Sequence, residues 1–278
     1  MADRALQWGR QLAGNPAVRV VGTSLGPMIT KLTDKARELL DRRRPAVAVT
    51  GLAGVGKTVL TFQLCATKRD YRPVKSASVV VEQVSMRTGL TGVQFRVVPG
   101  GHGASRSRGL DELFYEKPVA GVVHVVANGF TTPRPADIGE RPSTPPTVAE
   151  HREHQRHLEV EDFRDTAHHI ATLVRRRSAD PIWLIIAVVK TDLLAADDED
   201  PLEHYWRDPD SPFVQQLQKL RREVGERNLT LDIVTVSSVR QDFVLGSETV
   251  PSSGSNADRD TSLDALAERI RQMSGHVA

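Results

Sequence analysis

Residues 51–58, GLAGVGKT, carry the clearest chemical signature of the chain. They follow the pattern G-x-x-x-x-G-K-[ST], with the apolar AVAVT before them and the helical TVLTFQLCA after them. That strand-turn-helix setting is the one the pattern needs to bind phosphate. A loop of Gly51, Leu52, Ala53, Gly54, Val55 and Gly56 can turn its amide groups inward around a phosphate chain, because its glycines accept backbone angles closed to other residues. The start of the following helix, with Lys57, Thr58 and Val59, adds unpaired N–H donors and the positive end of a dipole. Lys57 is expected to reach the outer phosphates of a nucleoside triphosphate, and the Thr58 hydroxyl to coordinate Mg2+. The alternative is a glycine-rich turn that merely joins a strand to a helix.

Phosphates do not identify the base. The apolar run IWLIIAVVKTDLL places Val189, Lys190, Thr191 and Asp192 just beyond a buried strand. This tetrapeptide resembles the [NT]-K-x-D guanine-recognition motif of the Ras-like P-loop GTPase superfamily. By that resemblance Asp192 accepts hydrogen bonds from N1–H and the 2-amino group of guanine. Adenine lacks the 2-amino group and would leave a buried carboxylate unpaired, at a cost of about 1–3 kcal/mol. The aliphatic stem of Lys190 is expected to cover the face of the base. Ser237 and Ser238, which end TVSS after the next apolar run, fall where the family carries its S-A-[KL] turn against the base. Val189 departs from the pattern, since it replaces the Asn or Thr that ties this loop to the phosphate loop. The alternative is an ordinary charged exit from a strand.

A third stretch, VQFRVVPGGHG, runs from a strand into a turn of bare backbone. The family places D-x-x-G here, and Val97, Val98, Pro99 and Gly100 occupy it, so the glycine that senses the γ-phosphate is present and the acid is not. This V-P-G segment is most similar to bacterial MglA-type small GTPases. The resemblance implies a segment with two conformations, ordered by γ-phosphate and magnesium and released without them. His102 stands near the position of the family's water-orienting Gln or His, displaced by one through Gly101; otherwise it is a solvated loop histidine. Residues 67–78 are expected to hold the first switch, with Ser76 as the second hydroxyl on magnesium. Arg72 and Arg106 are read as solvated arginines, with a cis arginine finger as the alternative for each. Without an acid at Val97, intrinsic hydrolysis should be slow.

The elements that must position these residues are legible as alternation. From Pro45 onward, short apolar runs alternate with amphipathic stretches, the pattern of a sheet with helices on both faces. Too few residues separate SVVVEQV from VQFRVV for a crossover helix, so those two strands should pair antiparallel. The expected fold class is α/β: a Ras-like P-loop NTPase fold with a mixed, mostly parallel six-stranded sheet. Residues 1–44 read as an N-terminal helical extension, and residues 45–278 as the GTPase domain with a loop insertion at about 131–150. Residues 246–260 read as a second surface loop, and the last helix is expected to open at Thr261. Ser211 before Pro212 is read as an N-cap with proline at N1.

Composition narrows the class. With 278 residues, 39% of them hydrophobic, the chain can fill a core, and 37 basic against 35 acidic residues give a formal charge of only +2. So even a balance announces no nucleic-acid partner. One cysteine, Cys65, excludes an intramolecular disulfide and a cysteine-rich metal site. No stretch approaches the roughly 18 apolar residues of a membrane span, and a cytoplasmic location is expected. Peripheral membrane contact is the alternative. His151, His154 and His157 are read as a solvated helix face rather than a metal cluster, residues 197–200 as a solvated loop, and residues 175–177 as a helix end whose cations suit the dipole.

The expected function is a molecular switch that binds GTP and GDP with magnesium, hydrolyses GTP slowly, and signals to effector or regulator proteins. Two rivals stand beside it: a P-loop ATPase or small-molecule kinase, and a nucleotide-stabilised scaffold without turnover.

Overall fold

A computed structural model describes residues 45–66, 82–88, 91–99, 104–116, 119–132, 147–176, 181–193 and 200–275. The strands are β1 (Ala46–Thr50), β2 (Glu82–Thr88), β3 (Thr91–Val97), β4 (Gly121–Val126), β5 (Ile182–Val188) and β6 (Leu229–Thr235), with a short pair, β7 (Phe243–Leu245) and β8 (Glu248–Val250). The helices are α1 (Lys57–Cys65), α2 (Ala104–Asp111), α3 (Val148–Arg176), α4 (Pro212–Val224) and α5 (Asn256–Gly275). A wider turn, Glu112–Glu116, continues α2.

The main sheet runs β2-β3-β1-β4-β5-β6. Five strands are parallel, and counted among themselves they lie in the order 2-1-3-4-5. β2 joins the edge as the antiparallel partner of β3. The expected antiparallel pair is therefore present, and its strands extend inward until only two residues separate Thr88 from Thr91.

β1, β4 and β5 are buried along their whole length, which is why they read as unbroken apolar runs. Their side chains alternate between two cores. Leu110, Phe163, Phe213 and Leu217 bring α2, α3 and α4 onto one face. Leu60, Leu64, Leu263 and Leu266 bring α1 and α5 onto the other. Full burial of each such side chain contributes about 1.5–3 kcal/mol. A third, smaller cluster of Phe130, Val148, Leu193 and Phe243 lies beneath the β7–β8 pair.

Two expectations along the C-terminal third need correction. Residues 246–260 are not a featureless loop: Gly246, with φ 59, turns β7 into β8, and α5 already starts at Asn256 rather than near Thr261. The reason is local. Ser255 and Asp258 cap the helix reciprocally: the Asp258 N–H donates to Ser255 Oγ at 3.2 Å and the Ser255 N–H to Asp258 Oδ2 at 2.8 Å. Ser211 does precede Pro212 at the start of α4, but its hydroxyl donates to the His204 carbonyl at 2.5 Å instead of capping the helix.

Among the described residues, no helix is long and apolar enough to cross a membrane.

Candidate functional site

In an open parallel sheet the loops leaving the carboxyl ends of the strands share one rim, and ligands bind where the strand order reverses. Here that point lies beside β1, whose successor β3 pairs on one side and β4 on the other. The loop at residues 51–58 leaves the sheet at this position.

Its backbone has the angles that the glycine spacing demands. Gly51, Gly54 and Gly56 have φ of 134°, 80° and 106°. Space makes the same demand at two of them. A Cβ on Gly51 would lie 2.3 Å from the Val125 carbonyl oxygen, and one on Gly54 would lie 2.6 Å from that of Thr132. Only glycine allows the loop to lie this close to the end of β4 and the segment beyond it.

Lys57 turns back into the loop, where its ammonium donates to the carbonyls of Gly51 at 2.7 Å and Leu52 at 2.9 Å. It is 7% exposed, so a cation is held inside a ring of backbone at the start of α1. Thr58 is half-buried in the first turn of that helix, and its carbonyl accepts from the Thr61 hydroxyl at 2.9 Å. An anion placed in this loop would meet the ammonium and the helix N-terminus together.

Below the loop lies a polar cluster that the sequence did not announce. Arg106, expected as a solvated arginine or a finger, is buried and forms an ion pair with Asp162 of α3. Its guanidinium also donates to the carbonyls of Gly51 at 3.3 Å and Pro99 at 3.4 Å. It thus braces the loop at residues 51–58 against the exit of β3 instead of reaching outward. Burial raises the Asp162 carboxyl above its ordinary range, and the charges of Arg106 and Lys57 act against that rise. Beside them His124 pairs through Nδ1 with the Thr50 hydroxyl at 2.9 Å. Burial, then the charges of Arg106 and Lys57, hold its imidazole well below the usual range, so the ring is neutral.

Val97 and Val98 are both 1% exposed, one in each core, so position 97, where the D-x-x-G pattern has its acid, is an apolar packing site. Gly100, His102, Ser76 and Arg72 lie outside the described residues.

Beyond β5 the chain turns at Lys190, with φ 60, into a single helical turn at Thr191–Leu193. Asp192 is 8% exposed, and hydroxyls occupy both of its oxygens. Ser237 donates to Oδ1 at 2.9 Å and Ser252 to Oδ2 at 2.6 Å. The Asp192 carbonyl accepts from the N–H of Ser253 at 2.8 Å and from its hydroxyl at 2.7 Å. Ser238 is buried beside Ser237 in the turn after β6.

Lys190 reaches the other way, donating to the Phe130 carbonyl, and its ammonium lies 5.8 Å from the centre of the Phe243 ring. Burial lowers this ammonium to about 8, against the charges of Glu159 and Asp192. Val189, fully buried in the core, ties the turn back through its backbone: its N–H donates to the Val126 carbonyl at 2.8 Å.

The segment that receives Lys190 is itself built from below. Glu159 of α3 is fully buried, accepting from the Ala127 N–H at 2.8 Å and from the Tyr205 hydroxyl at 2.5 Å. Desolvation raises its carboxyl, opposed first by the Tyr205 bond. His151 is not a solvated histidine as expected: it is buried, and its Nε2–H donates to the Thr131 carbonyl at 2.9 Å. His154 and His157 are exposed. No group of histidine, cysteine or acidic residues among the described residues could hold a metal ion.

Those sequence-predicted residues that are described, Gly51 to Val59, Lys190, Asp192, Ser237 and Ser238, thus fall on one rim of the sheet, in two groups joined through residues 127–132. Gly54 abuts Thr131 and Thr132 from one side, and Lys190 bonds Phe130 from the other. The residues missed were Arg106 in its bracing role, Glu159, Phe243, Ser252 and Ser253. Only the β7–β8 turn had a readable signal, a Gly-Ser pair between two short β-prone runs.

Neither the protein-family models nor the curated proteins include a match to this chain.

Proposed function

We propose that this protein is a Ras-like GTP-binding switch that hydrolyses GTP slowly to GDP and phosphate and signals to a protein partner. The observation that carries the proposal is the buried carboxylate of Asp192, fixed by hydroxyls on the same sheet rim as a glycine loop that encloses a lysine. A buried carboxylate that keeps acceptor capacity suits a base edge with adjacent donors, which guanine has and adenine lacks.

The chemistry follows from the same residues. Water attacks the γ-phosphorus and the bond to the β–γ bridging oxygen breaks, leaving the electron pair on GDP. Lys57 offers its ammonium to the oxygens where charge collects, exchanging the Gly51 and Leu52 carbonyls for phosphate. Magnesium neutralises phosphate charge when bound. Thr58 would hold it with one hydroxyl, in keeping with an ion that takes most of its ligands from water and phosphate. Val97, packed in the core, supplies no acid to that ion's water shell, which supports a low rate.

The test is multiple-turnover phosphate release from GTP and from ATP with magnesium. Release from GTP that vanishes in Lys57→Ala supports the proposal. Equal or faster release from ATP would favour the ATPase alternative. Stabilisation by GTP without release would favour the scaffold.

A further inference from the structure

We infer that the β7–β8 hairpin and the serines that follow it set the base preference of this site, with Ser252 as the positioning residue for Asp192. This rests on the guanine reading above and adds an element to it.

Three observations converge on the hairpin. First, Ser252 donates to Asp192 Oδ2 at 2.6 Å, the shortest bond the carboxylate accepts, while Ser237 holds Oδ1 at 2.9 Å. With a donor on each oxygen, the carboxylate cannot rotate about its last bond without losing one. A carboxylate presents about four lone-pair sites. Two serines leave about two, as many as N1–H and the 2-amino group of guanine require. Second, Ser253 takes the Asp192 carbonyl with both its N–H and its hydroxyl, so the backbone of the residue is fixed with its side chain.

Third, the same hairpin secures the other half of the base turn. Phe243 of β7 packs edge-on against Phe130 at 5.4 Å, and the Lys190 ammonium bonds the Phe130 carbonyl while lying near the Phe243 ring. One small element therefore contacts both Lys190 and Asp192, from positions 53 to 61 residues further along the chain. Its Ser252 N–H is in turn held by Asp242 at 2.9 Å, which closes the hairpin base on itself. A guanine edge would meet a carboxylate already aimed, and affinity gained in this way comes from reduced ordering cost.

Calorimetric titration of the full chain with GDP, IDP and ADP, in magnesium, tests this. IDP differs from GDP only in lacking the 2-amino group. Ser252→Ala should weaken GDP about tenfold, the loss of one bond to a charged group. It should also shrink the GDP-to-IDP ratio and leave ADP unchanged, while Ser252→Thr, which keeps the hydroxyl, restores both. If Ser252→Ala does not fold, Ser252→Cys gives the same readout through a weaker donor of similar size. Equal weakening of all three nucleotides, an unchanged GDP affinity, or tighter GDP binding would each overturn the inference. Asp192→Ala separates the two levels. If it removes the GDP-to-IDP preference while Ser252→Ala does not, the hairpin inference alone fails. If it too leaves the preference intact, the guanine reading fails.

Discussion

The loop at residues 51–58 holds its lysine from within and takes a brace from Arg106, whereas both charged residues of the turn at residues 189–193 are held from far along the chain. Lys57 bonds carbonyls five and six residues before it, and the loop's positive φ angles belong to its own glycines. Asp192 depends on Ser237, Ser252 and Ser253, which are 45 to 61 residues away, and Lys190 depends on Phe130, 60 residues back. A phosphate chain is the same in every nucleotide, so under the proposed function a loop that sets its own lysine would suffice for it. Telling bases apart would require a carboxylate fixed in direction, and tertiary contacts fix that of Asp192.

If this contrast is right, damage to the two regions should separate cleanly. The largest effect belongs to the phosphate loop. Lys57→Ala should weaken every nucleotide, and inorganic tripolyphosphate with them, by about a hundredfold, or about 3 kcal/mol. Calorimetry that found the loss confined to one base would break the contrast. Phe243→Ala is the counterpart at the base turn. It empties the small cluster beneath the hairpin and should cost about 3 kcal/mol of stability or more. GDP should weaken about tenfold while the stabilisation given by tripolyphosphate survives in a melting experiment; loss of both would mean the regions are not independent.

Gly54→Ala probes the seam between them. Its Cβ would press on the Thr132 carbonyl at 2.6 Å and on Thr131 Cγ2 at 3.0 Å. Both phosphate and base binding should fall, each by less than in the variants above, and a GDP-to-ADP ratio unchanged from wild type would show that the strain stays within the phosphate loop.

The smallest effect is a pH slope. Burial brings the Lys190 ammonium from 10.5 down to about 8. Between those values the unfolded chain holds a proton that the folded chain has released, so this residue makes stability rise with pH across the window and adds no slope below it. Denaturant unfolding of nucleotide-free Lys190→Met should lack that part of the rise. Parallel curves for the two proteins would contradict it.

Legibility in the sequence followed the same division. Glycine spacing between an apolar run and a helical one contained the conformation of the loop at residues 51–58, and unbroken apolar runs contained β1, β4 and β5, because such signals are local. Asp192 could be placed by its motif, but Ser252 looked like part of a polar loop, since hydroxyls carry no hydropathy signature and their partner is 60 residues away. Arg106 misled for a related reason. A charged residue reads as solvated until its partner is known, and Asp162 belongs to the interior of a long helix whose buried face the charge pattern disguises. Glu159 and His151 were hidden on that helix in the same way.

The central claim is that Asp192 reads a guanine edge while the loop around Lys57 holds its phosphates. Titrating nucleotide-free wild type and Asp192→Ala with GDP and with ADP tests it most directly. The account predicts that wild type binds GDP at least about a hundredfold tighter than ADP, and that Asp192→Ala brings the two within a few-fold of each other by weakening GDP and by relieving ADP of an unpaired carboxylate. Equal affinities in the wild type, or a GDP preference that survives in Asp192→Ala, would contradict it.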